Sequence, residues 1–362
     1  MINIKSHKIS TTALVLLITG AIDSIRNLPA TALFGTELFF FFFLAAGFFL
    51  IPVALVSAEL SAAWVEEEAG IFHWLDLAFG ETFAFIGIWL QWVNTLVWYP
   101  TILSFIAGTA AYLINPELAN NKYYLISIII ITFWVMTLVN LKGLKTSARF
   151  ASTCALLGMI LPMIMIISFG LYWIVAGNNL QLKFTLLNMM PNLSSSESWV
   201  SLTAIMTSFL GMELAAVHIK QVRQPQKTFP KAILISVVII LFTMIFGSLS
   251  IAFVLPKENI HLVDGVMQTF KYFFHGYHAD YLLPVIILLL LIGSIGGMIN
   301  WIISPAKGLL MASKHDFLPK YLAVVNKHNV PHRILILQAI IVTFLGCGFM
   351  LLPSVNSIYW LF

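Results

Sequence analysis

Charged residues are scarce in this sequence. Asp, Glu, Lys and Arg make up only 9% of its 362 residues, whereas 60% are hydrophobic and the mean hydropathy is +0.95. A chain with so little charge cannot hide its apolar surface inside a water-soluble core. The composition therefore excludes a soluble globular protein and predicts a polytopic membrane protein surrounded by the lipid bilayer.

Cysteine is also rare, since Cys154 and Cys347 are the only two and each lies in an apolar run. We expect both to be buried small side chains, with neither a disulfide nor a metal site. The Lys and Arg residues lie mainly in short loops between apolar runs, so we expect no nucleic-acid binding. Two pairs of histidines lie in loops, His275 with His278 and His328 with His332. They lack further ligands at fixed spacing, so we expect no metal and no cofactor.

Residues 201–231, SLTAIMTSFLGMELAAVHIKQVRQPQKTFPK, place a carboxylate inside an apolar run. Glu213 follows Gly211 near the expected bilayer centre, where an ionised side chain is costly without a partner and marks a functional site by default. Because glycine tolerates a local break, one interpretation is a discontinuous helix whose freed backbone groups line a cavity. The alternative is an unbroken helix in which Glu213 only pairs inside the bundle.

A second interrupted run opens the chain at residues 9–35. Two runs broken in corresponding places, one in each half of a membrane protein, are typical of inverted-repeat transporters with the binding site at the breaks. The sequence therefore favours a transporter. The interrupting residues are Gly20, Asp23, Ser24, Arg26, Asn27 and Pro29.

An intramembrane enzyme is a remote alternative, because it would also place ionisable residues inside spans. No GxSxG, HExxH or paired-Asp signature arranges them for catalysis, so we expect no enzyme and no catalytic residue. The only plausible catalytic side chains are Asp23, Ser208, Glu213 and His218.

Hydropathy and length predict nine spans in all. A short interfacial helix is expected at residues 70–80 and an external connector at 177–198. Residues 259–278 predict an amphipathic external helix, which we interpret as part of a lid, with Val266, Phe270, Phe273 and Phe274 toward the protein. The spans are predicted at residues 9–35, 38–64, 83–113, 124–141, 151–175, 199–218, 232–255, 281–310 and 334–352.

The third predicted span carries polar and aromatic residues near one helical face, Gln91, Asn94, Trp98 and Tyr99. They indicate either the wall of a cavity or hydrogen bonding and packing between helices.

Loop charges predict the orientation. With a cytoplasmic N-terminus, 14 of the 19 Lys and Arg residues fall inside and 4 outside, with Arg26 at the break. The excess of positive charge inside therefore predicts a multi-pass cell-membrane protein, in a bacterial inner membrane, with its N-terminus in the cytoplasm.

The ordered motifs resemble the amino acid/polyamine/organocation transporter superfamily, and within it the bacterial glutamate/γ-aminobutyrate antiporters and related amino acid permeases. The resemblance covers essentially the whole chain. The motifs are PVALVSAE at 52–59, EEAGIFHW at 67–74, GME at 211–213, LVDGVMQTF at 262–270, WIISPAKG at 301–308, LP at 318–319 and NVP at 329–331.

This resemblance implies an all-α leucine-transporter-like fold of two inverted five-helix repeats, with helices one and six broken. Residues 1–176 would be the first repeat, 177–198 the connector and 199–362 an incomplete second repeat that ends at the start of helix ten. It implies secondary transport of an amino acid by alternating access, as an antiporter or permease. The oligomeric state is left open.

The implied substrate site lies between the two breaks, with neighbours on helices three and eight. Asp23 and Arg26 stand three residues apart, so they either pair with each other or read the ammonium and carboxylate of a zwitterion. The implied site residues are Ala21, Ile22, Asp23, Ser24, Ile25, Arg26, Asn94, Trp98, Phe209, Leu210, Gly211, Met212, Glu213, Gly293 and Ser294.

The sequence departs from the family pattern in three ways. Many members have a Gly-x-Gly turn in helix one, where this chain has Ile22, Asp23 and Ser24. Predicted helix five has no lysine, so no lysine-based proton relay is expected. Gln221 and Gly297 stand where relatives carry acidic residues, so acid-coupled glutamate exchange does not follow from the resemblance alone.

The last residues, SVNSIYWLF at 354–362, are fewer than the roughly 20 that a span needs. We therefore expect helix ten to be only begun. This leaves open a second interpretation, in which the chain is a fragment or a truncated, non-transporting remnant of such a carrier.

Overall fold

The computed structural model describes residues 9–64, 70–143, 148–182, 189–194, 196–212 and 222–348. Within these residues the chain is helical, apart from one isolated β-bridge between Ile9 and Val222. The prediction of an all-α protein is confirmed. The predicted start of helix ten falls on residues 349–362, which lie outside the described residues.

The described part of the chain forms fourteen α-helices, several of them joined end to end by a turn of 3₁₀- or π-helix. In chain order they are α1 (Thr11–Ile22), α2 (Leu28–Ala32), α3 (Leu38–Ala45), α4 (Ile51–Ala63), α5 (Ile71–Phe79), α6 (Glu81–Ala111), α7 (Lys122–Leu141), α8 (Ala148–Ala155), α9 (Leu161–Val175), α10 (Ser196–Ser208), α11 (Pro225–Val254), α12 (Gly265–Gly276), α13 (Leu283–Lys314) and α14 (His332–Gly348).

Six helical stretches among the described residues are long and apolar enough to cross a membrane, which confirms a multi-pass membrane protein. The predicted third span is the 31-residue helix α6, which is not one of the six. Within the described residues, the predicted sixth and ninth spans correspond to the shorter helices α10 and α14. The six stretches are Thr11–Ala32, Gly35–Ala63, Lys122–Leu141, Thr153–Val175, Pro225–Val254 and Asp280–Ser313.

The chain divides into two units, each made from two separate segments. The first unit combines Met1–Gly70 with Ala148–Ile260, and its centre is α11, which contacts α1, α2, α4 and α9. The second combines Ile71–Ser147 with His261–Phe362, and its centre is α6, which contacts α5, α7, α13 and α14.

Two spans of the first unit contain a turn of π-helix, at Ala46–Leu50 and Leu156–Ile160. Each π-turn is followed within two residues by a proline, Pro52 in α4 and Pro162 in α9. Proline lacks the N–H that an α-helix needs and its ring crowds the carbonyl four residues earlier. A widened turn accommodates it, so both spans continue as helices instead of breaking.

The predicted external helix is present as α12 in the second unit. Val266, Phe270, Phe273 and Phe274 are all fully buried, as its periodicity predicts. The short helix predicted at residues 70–80 is α5, nine residues long and in contact with α6.

Candidate substrate site

The first span is broken where the sequence predicts it. Helix α1 ends at Ile22, and the backbone of Asp23 (φ −65°, ψ 119°) and Ser24 (φ −133°, ψ 110°) is extended. A 3₁₀-turn over Ile25–Asn27 then leads into α2. The last helical hydrogen bond before the break is donated by the Asp23 N–H to the Thr19 carbonyl, at 2.8 Å. The last carbonyls of α1 therefore lack the N–H donors that a following helical turn would supply.

The second interrupted span ends its described helix at Ser208. Phe209 and Leu210 donate their N–H groups to carbonyls three residues back, and Gly211 follows with φ +115°, a conformation that side chains other than glycine rarely adopt. Phe209 and Met212 are buried, and Leu210 is partly exposed. Glu213 and His218, which the sequence analysis singled out, lie outside the described residues.

Three hydroxyls of α11 bond to the first span on both sides of its break. Ser236 donates to the Val15 carbonyl (3.3 Å), Thr243 shares a hydrogen bond of 2.6 Å with the Asp23 carboxyl, and Ser248 shares a hydrogen bond of 2.5 Å with Thr31.

Close packing reinforces this attachment to α11. A Cβ on Gly247 would lie 2.9 Å from the Leu28 side chain, so a larger residue there would require Leu28 to shift. Helix α11 thus holds the two parts of the broken span in register.

Asp23 is the most deeply buried acidic side chain of the first unit's described part, with 1% of its surface exposed. Its Oδ2 is hydrogen-bonded to the Thr243 hydroxyl, whereas its Oδ1 has no hydrogen-bond partner among the described residues. The Thr19 hydroxyl, one helical turn earlier, is fully buried and is likewise without a described partner. Two buried oxygens at the break are therefore available to a ligand.

One of the two alternatives for Asp23 and Arg26 is not seen. The described residues contain no ion pair between these two side chains, although Arg26 is also buried. A pair three residues apart requires a continuous helical path. The extended backbone at Asp23 and Ser24 interrupts that path, and Thr243 occupies the carboxyl oxygen instead.

The remaining implied site residues belong to the second unit. Asn94 is exposed, and the Trp98 ring lies 5.0 Å from that of Trp301. On α13, Gly293 is buried and Ser294 is half-buried.

Tyr99 supports the packing interpretation of the α6 face. Its hydroxyl donates to the Trp301 carbonyl (2.8 Å) and accepts from Gln338 (3.2 Å), both within the second unit. Gln338 in turn accepts the indole N–H of Trp92 (3.0 Å). This network joins α6 to α13 and α14.

Comparison with known proteins now decides the family. The family model described as amino acid permease matches residues 9–362, which is nearly the whole chain. The chain belongs to this family. The permease is also similar, at 40% identity over 348 residues, to an uncharacterized transporter of Legionella pneumophila, with 96% of this chain and 75% of the relative aligned.

Two further relatives carry substrate names. A glutamate/gamma-aminobutyrate antiporter of Lactococcus lactis is 28% identical over 94% of the permease and 68% of its own length. A probable agmatine/putrescine antiporter of the same species is 22% identical over 92% of the permease and 70% of its own length. These matches confirm the resemblance inferred from the motifs.

Sequence inspection missed the hydroxyls at the break. Thr243 lies 220 residues away in a run that reads as a simple apolar span, and Thr19 is one of several hydroxyls in the first span. A usable signal was present in α11, where Ser236 and Thr243 interrupt the apolar run seven residues apart, about two helical turns, and so lie on one helical face.

Proposed function

We propose that this permease carries an amino acid, or an amine derived from one, across the cell membrane by alternating access around the break in its first span. The observation that carries the proposal is Asp23, an acidic side chain buried at a helix break with one oxygen unpartnered. Ionisable groups inside membrane spans are retained where they bind substrates or ions.

The relatives' names support an amine-bearing substrate. Glutamate, γ-aminobutyrate, agmatine and putrescine differ in charge and length, but each carries at least one cationic nitrogen. A carboxylate is the complementary group. We assign Asp23 to the substrate's ammonium, with Ser24 and the freed carbonyls at the end of α1 as neighbours.

Arg26 and the second break are assigned to the rest of the substrate. Arg26 is buried three residues after Asp23, and its guanidinium suits a carboxylate when the substrate has one. The family resemblance adds to this proposal Phe209 to Glu213 from the second interrupted span, and Asn94, Trp98, Gly293 and Ser294 from helices three and eight. The site as a whole belongs to this proposal.

The composition of the two units supports an inverted repeat. If residues 1–176 and 199–362 are the repeats, the first two spans of each repeat fall in the first unit, and the third and fourth spans of each fall in the second. Such a division is what two interleaved copies of one motif produce. The loop charges favour a cytoplasmic N-terminus.

The test is counterflow into proteoliposomes that contain the purified permease. Vesicles are loaded in turn with glutamate, γ-aminobutyrate, agmatine or putrescine, and uptake of the same labelled compound is followed. We expect saturable uptake of at least one compound. Asp23→Asn should lower its transport efficiency about 10- to 100-fold, which corresponds to the loss of a charge-assisted contact of about 1.5–3 kcal/mol.

Asp280→Asn is the matched control, because Asp280 is an exposed aspartate at the very first residue of its helical stretch. It should transport like the unmodified permease. Unchanged transport in a well-folded Asp23→Asn variant would remove Asp23 from substrate binding.

A further inference from the structure

No cationic side chain among the described residues forms an ion pair with Asp23, and the lack of a positive charge favours a protonated carboxyl. We propose that Asp23 is a proton-binding site: it holds a proton in the conformation described here and releases it when a cationic group of the substrate enters. The coupling to substrate rests on the proposed function above, whereas the protonation itself stands on geometry alone. No other acidic side chain of the first unit's described part is as deeply buried.

The hydrogen bonding around Thr243 favours a protonated Asp23. The Thr243 Oγ1 lies 2.6 Å from Asp23 Oδ2, 2.8 Å from the Ile239 carbonyl and 3.1 Å from the Ile240 carbonyl. A threonine hydroxyl has one proton but three oxygens within reach. If Asp23 carries a proton, it donates to Thr243, and Thr243 is free to donate to a carbonyl of its own helix. Both contacts are then satisfied at once.

The second carboxyl oxygen leads to the same conclusion. Asp23 Oδ1 is buried and has no hydrogen-bond partner among the described residues. An ionised carboxylate with a bare oxygen in apolar surroundings is far more costly than a neutral acid whose carbonyl oxygen lacks one bond. A group in that position neutralises itself by binding a proton unless a cation is supplied.

Among the described residues, the charged groups around α1 do not supply a cation to Asp23. Helix α11 carries no ionisable side chain from residue 232 to its end, and α8 with its π-turn contributes Cys154 and Arg149, whose side-chain position lies outside what is described. On the broken span itself the nearest charge is Arg26, and no ion pair joins it to Asp23. Lys227 and Lys231 lie at the far, N-terminal end of α11.

The exchange step balances in charge. In the empty site the Asp23 carboxyl is neutral, as –COOH. When a substrate ammonium enters, the carboxyl loses H⁺ and becomes –COO⁻, which pairs with the ammonium. One proton leaves for each cationic nitrogen captured, so the net charge of the site is unchanged. Protonation in turn expels the ammonium.

Infrared spectroscopy of the full chain in lipid vesicles tests the protonation without any substrate. At neutral pH we expect a carbonyl band of a protonated carboxylic acid that shifts in D₂O. Asp23→Asn should abolish this band, and Asp280→Asn should leave it unchanged. Because asparagine has the shape of the neutral acid, the Asp23→Asn variant is expected to fold. A folded Asp23→Asn variant that keeps the band would overturn the proposal.

Thr243 provides a second measurement that keeps the Asp23 carboxyl in place. Thr243→Val removes the hydrogen-bond partner and should shift the band to higher frequency, whereas Thr243→Ser should leave it near its original position. No response to Thr243→Val would overturn the assignment to Asp23.

The coupling is tested separately, with a compound that the counterflow assay shows to be transported. γ-Aminobutyrate and putrescine are the first two probes. Addition of a transported probe should reduce the acid band, and a band that persists would overturn the exchange step. If no compound is transported, the proposed function fails, but the infrared result on the empty protein still decides whether Asp23 binds a proton.

Discussion

Removing the Tyr112 hydroxyl should loosen α12 from the end of α6. Tyr112 donates a hydrogen bond of 2.7 Å to Asp264 Oδ2, and His261 Nδ1 lies 3.1 Å from Asp264 Oδ1. Asp264 is only 3% exposed and immediately precedes α12. The segments also approach closely, because a Cβ on Gly108 would lie 2.7 Å from the Val263 side chain. These contacts attach α12 to the end of α6.

The expected magnitude follows from the charge of the acceptor. A hydrogen bond to a charged group contributes about 1.5–3 kcal/mol, and its loss leaves Asp264 Oδ2 buried without its donor. Tyr112→Phe should therefore lower the free energy of unfolding by about 2 kcal/mol. Tyr124→Phe is the matched control, since the Tyr124 hydroxyl donates to the neutral Ala107 carbonyl at 3.2 Å. We expect a loss of about 1 kcal/mol or less there.

The same cluster predicts a pH dependence. The hydrogen bond to Asp264 raises the pKa of the His261 imidazole above its ordinary value, burial opposes this, and the negative charge of Asp264 reinforces it. Because the folded state favours the imidazolium, its contribution to stability is fully present below about pH 6.5 and is lost as the pH rises through the raised pKa. His261→Gln should remove this part of the dependence.

The assays are reversible unfolding in mixed micelles from pH 5 to 9 and hydrogen exchange of α12. Equal losses in Tyr112→Phe and Tyr124→Phe would refute the argument from charge. A pH profile that His261→Gln leaves unchanged would refute the role of His261. Faster exchange in Tyr112→Phe should be concentrated in residues 265–276 and not in α7.

Two further predictions concern packing inside each unit. Gln338→Leu should cost about 1–2 kcal/mol in the same unfolding assay, because Trp92 loses its acceptor and Tyr99 a donor inside the second unit; a neutral effect would mean that water replaces the amide. Gly170→Ala should cost about 1–3 kcal/mol, because the added Cβ would overlap the Ser250 side chain and lie 3.1 Å from the Ser250 Cα. Gly47→Ala is the control, because its Cβ would meet no atom within 4 Å, and it should not destabilise the protein.

Much of the fold follows from local properties of the sequence. Apolar length alone places the spans, and the periodicity of residues 259–278 predicts which side of α12 is buried. The break at Asp23 is also a local property, since polar residues and Pro29 interrupt one apolar run. Helix ends were less predictable. The seventh span begins at Pro225 and not at 232, because proline suits a first helical turn.

The contacts of the site could not be predicted, because they join distant parts of the chain. Spacing alone suggested that Asp23 pairs with Arg26, but spacing predicts a contact only along a continuous helix. The break removes that condition, and the partner becomes Thr243, 220 residues away. A single sequence contains no information on which span packs against the break, and therefore none on which hydroxyl the carboxyl meets.

A comparison of the two most buried aspartates in the described residues shows why Asp23 and not Asp264 is the functional candidate. Both are nearly inaccessible, at 1% and 3% exposure. Asp264 has a phenol on one oxygen and an imidazole on the other, so both of its oxygens have partners and it fastens two elements together. Asp23 has one hydroxyl and a bare oxygen. A fully satisfied carboxylate has nothing further to bind, whereas Asp23 gains from every proton or cation that reaches it.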